Sequence, residues 1–127
     1  MSESYFYEYA VIRLVPRVER EEFLNVGIIM FCKRPCFLKA KHHINTAKLS
    51  QFEHELELAD IERNLEAFHK ICIGGKPGGP MAQEDHVSRF RWLTAERSSS
   101  IQTSRPHHGF STDLEKTLER LFEELVM

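Results

Sequence analysis

The segment from Tyr5 to Val15 constrains the fold more than any other part of this 127-residue chain. It is rich in aromatic and β-branched residues and closes at Pro16, which cannot donate to a sheet ladder, so it reads as a strand. Ala10, Ile12 and Leu14 share one face, while Tyr7, Tyr9, Val11 and Val15 share the other. The strand thus reads as buried on much of both faces, which places it centrally in its sheet. Glu8 and Arg13 interrupt the pattern, and Arg13 then needs a partner.

The next apolar run, Asn25 to Cys32, is a second strand with Gly27 near its start. A glycine there packs nothing and marks a bulge or a close approach by another chain. Lys33, Arg34 and Pro35 form a turn. Phe37 to Ile44 alternates, with Leu38, Ala40 and Ile44 on one face and Lys39, Lys41 and His43 on the other, as in a half-solvated third strand. Short connections between these three runs favour an antiparallel meander. Ser98 to Ser104, around Ile101, supplies a short fourth strand.

Three helices follow from apolar spacings of three and four. Leu58, Ile61, Leu65, Phe68 and Cys72 define the first, with Asp60 as its cap and Gly74 and Gly75 as its stop. Val87, Phe90 and Leu93 define a shorter one, with Trp92 as a large anchor beside it. Thr112 and Glu115 have capping-box spacing before the last, whose Leu114, Leu118, Leu121, Phe122 and Leu125 face a core. The expected architecture is α+β: a three-strand antiparallel meander plus a short fourth strand, with about three helices packed on one face. The length suits a single domain spanning residues 1–127.

Composition limits function without naming it. With 42% hydrophobic and 28% charged residues, the chain resembles an ordinary globular protein. A net charge of -2 excludes a globally basic nucleic-acid binder. Met1 to Tyr9 has no signal-peptide pattern and no apolar run is long enough to cross a membrane, so a cytoplasmic location is expected. The unpaired total of three cysteines, Cys32, Cys36 and Cys72, then reads as reduced thiols.

Several polar groupings invite chemistry. Gly74 to Gly79 matches no phosphate-binding glycine fingerprint and follows a helix, so a helix stop is preferred. Cys32 and Cys36 with His42 or His43 lack a second ligand pair, and strand alternation separates the two histidines; no metal and no cofactor is expected. Lys33, Arg34, Lys39, Lys41 and Lys48 form a basic stretch without an acid. It suits either a nucleic-acid ribbon or, preferred here, an edge strand blunted by lysines. The charged connection Arg17, Glu19, Arg20, Glu21, Glu22 lies at a sheet end, where sites are commonly built on rigid support. Arg97, Gln102, Ser104 and His107, with Ser98 and Thr103, could hold a phosphate or carboxylate, with His107 as a candidate acid or base.

Tyr7 to Arg17 (YEYAVIRLVPR), Glu19 to Phe31, Arg89 to Leu93 and Arg97 to Ser104 (RSSSIQTS), with His107 and Gly109, together resemble the bacterial family catalogued as domain of unknown function 3037. The resemblance spans nearly the whole chain and carries over Arg17, Glu19, Arg20, Asn25 and Gly27 in one block and Arg97, Gln102, Ser104, His107 and Gly109 in the other. It implies a small cytosolic protein without an assigned activity, and a partner resembling the HipA-type kinases. The resulting expectation is an accessory domain that binds another protein through the polar ends of its sheet. The alternative is an enzyme or ligand-binding protein for a phosphorylated small molecule or nucleic acid, which requires the two blocks to meet in one cleft. Exposed aromatics such as Tyr5, Phe6 or Trp92 would also suit a homodimer.

Overall fold

A computed structural model describes residues 3–127. Met1 and Ser2, the start of the segment read as lacking an export signal, lie outside the described residues. The elements run β1 (Tyr5–Leu14), β2 (Leu24–Cys32), β3 (Phe37–His42), α1 (Thr46–Leu49), α2 (Leu58–Ile73), α3 (His86–Leu93), β4 (Ile101–Thr103), β5 (His107–Ser111) and α4 (Leu114–Leu125). A short 3-10 turn, Val18–Arg20, joins β1 to β2. The class is α+β, as the sequence implies, with an antiparallel sheet of five strands.

The sheet is built around β1. One of its edges pairs with β2, which in turn pairs with β3. The other edge is shared end to end by two short strands: β4 opposite Ile12 to Leu14 and β5 opposite Tyr5 to Tyr9. β5 is the strand that the sequence pattern does not announce, because His107-His108-Gly109-Phe110-Ser111 contains no β-branched residue. The length of β1 leaves a half-edge to fill once β4 has paired.

Both faces of β1 are covered. Ala10, Ile12 and Leu14 pack with Ile61, Leu65 and Phe68 of α2 and with Phe90 and Leu93 of α3. Tyr7 and Val11 pack with Ile28 and Met30 of β2 against Leu114, Leu118, Leu121 and Phe122 of α4. The helices therefore lie on both faces and not on one, for the reason already visible in β1: two apolar faces each need a cover.

Local details also differ. Asp113, one residue after Thr112, caps α4 by accepting from the Lys116 N–H. Asp60 does not cap α2; Glu57 occupies that position without a side-chain bond. Trp92 is 47% exposed, with the Arg97 guanidinium 5.4 Å over its ring, and anchors no core. The glycine loop is the expected helix stop: Gly74 and Gly75 take φ of 90° and 96°, and Arg89 donates to the terminal α2 carbonyls of Ile71 and Cys72.

Candidate functional site

The polar end of the sheet is organised by a β-bulge. Ile12 pairs with Gly27 and Arg13 with Asn25, leaving Val26 without a partner on β1. Gly27 is required by closeness: a Cβ there would sit 2.6 Å from the Lys41 carbonyl oxygen of β3. Arg13 also faces Gln102 of β4, so Arg13, Asn25 and Gln102 form one row across three strands. The Arg13 guanidinium lies 4.0 Å over the Phe23 ring. Asn25 donates to the Leu125 carbonyl at the end of α4, 3.1 Å away.

This row carries two buried atoms without a hydrogen-bond partner among the described residues, Arg13 Nε and Asn25 Oδ1. One is a donor and the other an acceptor, on neighbouring strands. A buried polar atom needs a partner, so each of them suits a water or a ligand polar group. Beside it opens a cleft of about 450 Å³ bordered by Arg13, Glu22, Phe23, Glu96, Arg97 and Gln102. The cleft thus draws on both sequence blocks, from the connection before β2 and from the segment around β4.

The sequence-predicted residues do not all gather there. Arg97 and Gln102 do, and Asn25 is the strand partner of Arg13 without lining the cleft, although Arg97 also donates to the Trp92 carbonyl and Gln102 to that of Ser99. Arg17 pairs with Glu19 at 2.8 Å and Glu53 at 3.5 Å; Arg20 pairs with Glu22 at 2.5 Å and Glu53 at 3.9 Å. These side chains are solvated, and Arg17 and Glu19 border a separate depression. The Glu19 carboxyl is lowered by its own backbone N–H first and by Arg17 second.

Ser104 is buried and structural. Its Oγ accepts from the Val11 N–H at 2.9 Å, and its own N–H donates to the Val11 carbonyl at 2.9 Å. It thereby bridges β1 where β4 has ended and β5 has not begun. His107 faces Tyr9, ring centroids 5.2 Å apart. Tyr9 lies four residues along β1 from Arg13, about 13 Å at strand rise, so His107 is outside the cleft. Gly109 lies under Tyr7, whose Oη would be 2.8 Å from an added Cβ.

A family model described as a protein of unknown function, DUF3037, matches residues 9–126, from within β1 to the residue after α4. The chain belongs to this family. No curated protein and no solved structure matches it. The DUF3037 match includes both polar blocks and the cleft between them, and its description carries no activity.

Other contacts of this DUF3037 chain were hidden from sequence reading. Lys39 and Lys41 on the outer strand β3 pair with Glu115 and Glu119 of α4, so the basic ribbon is partly answered by acids from the far end of the chain. Glu8 receives a two-pronged bond from Arg91 of α3, at 3.1 and 3.0 Å. Cys32 is buried, with its thiol 3.0 Å from the Phe6 carbonyl, whereas Cys36 is exposed. His42 turns toward α2 and meets His69, with burial and the neighbouring ring lowering the His42 pKa. Among the described residues, no helix is long and apolar enough to cross a membrane.

Proposed function

We propose that this DUF3037 chain is a protein-binding module that docks an extended segment of its partner along β5. One observation carries the reading: Phe110, in a strand with a neighbour on one side only, is 72% exposed and in edge contact with Phe6, itself 47% exposed, at 5.4 Å. The sheet's two outer edges are treated differently. β3 carries Lys39 and Lys41, the kind of charge that discourages strand addition, whereas β5 presents His107, His108 and Phe110, with Phe6 of β1 beside it. Unpaired backbone groups beside an exposed apolar pair suit strand addition, with an apolar partner side chain seated on the phenylalanines. A kinase-like partner of the HipA type is the first to test.

The test is purification of the wild-type chain with its partner, then direct binding by Phe110→Glu. Phe110 is exposed, so the variant should fold. A hot-spot phenylalanine is worth about 2 kcal/mol or more, so a loss of roughly thirtyfold or greater is expected. Amide protection on complex formation should centre on His107 to Ser111. Undiminished binding by Phe110→Glu, or protection confined to another surface, would refute the docking site.

A second reading is supported by the orphaned Arg13 Nε: an anionic small molecule held by Arg13, Gln102 and Arg97 in the sheet-end cleft. Calorimetry with inorganic phosphate and with small carboxylates, comparing wild type and Arg97→Gln, tests it. Binding lost in the variant supports this reading, and no heat with either class of anion rejects it.

A further inference from the structure

His42 and His69 are 27 residues apart in sequence and come together from different elements, His42 at the end of β3 and His69 in the final turns of α2. Their Nδ1 atoms are 3.3 Å apart, with the ring planes at 73°. Two nitrogens in such contact cannot both point a hydrogen at the other, so at least one offers a lone pair. Two imidazole nitrogens bound at about 2.0–2.1 Å to one tetrahedral cation would stand roughly 3.3–3.4 Å apart. The observed spacing is that of two ligands on a single ion.

The surroundings extend the match. Glu66 lies one turn before His69 on α2, and residues three apart on a helix share a face. Its carboxylate is 3.6 Å from Lys70 in a solvated pair, which leaves it free to turn. His42, Glu66 and His69 border one open concavity, together with Thr46, Glu62 and Ile73. Among the described residues, no three ligating side chains are gathered, so a third ligand has to come from a side chain that moves.

We propose that His42 and His69 bind one divalent transition-metal ion of the zinc class through their facing Nδ1 atoms, with Glu66 turning from Lys70 to become the third ligand and water the fourth. Imidazole with carboxylate suits zinc, and cobalt serves as its coloured substitute. The site is independent of the β5 edge and of the Arg13 cleft.

The experiment uses the full chain freed of metal by chelation, titrated with Zn²⁺ alone by calorimetry and with Co²⁺ alone by visible absorption. One ion per chain is expected, with an absorption band of tetrahedral cobalt. His42→Gln and His69→Gln should each weaken binding by at least about tenfold, and Glu66→Gln by less. A His107→Ala, His108→Ala variant should bind as wild type does. Binding that survives both His42→Gln and His69→Gln, or that disappears with the His107 and His108 change, would overturn the assignment. Should the glutamine variants fail to fold by circular dichroism, the wild-type cobalt spectrum decides: without a ligand-field band the proposal falls.

Discussion

Ser104→Ala separates a structural role from a binding role at a residue that sequence comparison alone would place in a site. The substitution removes the only side-chain acceptor of the Val11 N–H, at 2.9 Å, and leaves that donor inside β1 beneath side chains that are 8% exposed or less at Val11 and Ser104. A methyl group cannot accept, and water has little access. The cost is that of an unpaired buried donor, about 1–3 kcal/mol, with little offset from the smaller side chain. Urea unfolding followed by circular dichroism should show a lower midpoint at unchanged slope, since the surface exposed on unfolding is the same. In a thermal scan the change is roughly 3–5 °C per kcal/mol at this chain length. Ser98→Ala, at an exposed position, should change neither. Stability within about 0.3 kcal/mol of wild type would refute the reasoning, because the buried N–H would then not depend on the hydroxyl. Loss of partner or ligand binding at full stability would return Ser104 to the functional set.

Gly27→Ala should destabilise by about 1–3 kcal/mol, because the new Cβ would stand 2.6 Å from a backbone oxygen and 3.0 Å from His42 Cβ, forcing β3 away from β2; equilibrium unfolding measures it, and a neutral result would show the strands can yield. Near neutral pH a disulfide-exchange reagent should label Cys36 quickly and Cys72 only after denaturation, since burial pushes the Cys72 thiol up to about 12; rapid labelling of Cys72 in the native protein would contradict this. The backbone N–H of Ser88 holds the Asp85 carboxyl below its ordinary 3.8. A carboxylate lowered on folding stabilises above its unfolded value and loses that contribution as pH falls through the folded value. The stability difference between wild type and Asp85→Ala should therefore be present at neutral pH and shrink below 3.8; the difference from Asp85→Asn, whose amide keeps an acceptor and does not titrate, should start smaller and fall over the same pH range.

The candidate site was partly legible. Arg13 stands out as a charge inside an apolar strand, and Asn25, Arg97 and Gln102 lie in blocks whose polar residues attract notice. Their convergence depends on register, which pairs Arg13 with both Asn25 and Gln102. The same register excludes His107, because it pairs with Tyr9. Arg17 and Arg20 stand out as charges at a sheet end, but Glu53, more than thirty residues later, lies beside both. Phe6 stands among the aromatics read as candidates for an exposed patch, but Phe110 gave no signal, since a lone aromatic in a polar segment does not reveal whether it is buried.

The sequence by itself determined the elements whose pattern is a property of their own residues. β1 is apolar on alternating positions of both faces, and α4 carries Leu114, Leu118, Leu121 and Phe122 on one stripe, because side-chain direction follows backbone period whatever the surroundings. Only the tertiary structure decided which stripe covered which face, that the weak segment His107 to Ser111 became a strand, and that His42 met His69. Those outcomes depend on contacts between residues far apart in the chain. The free energy of such contacts comes from filling the surfaces left by the strong elements, so no local pattern encodes them.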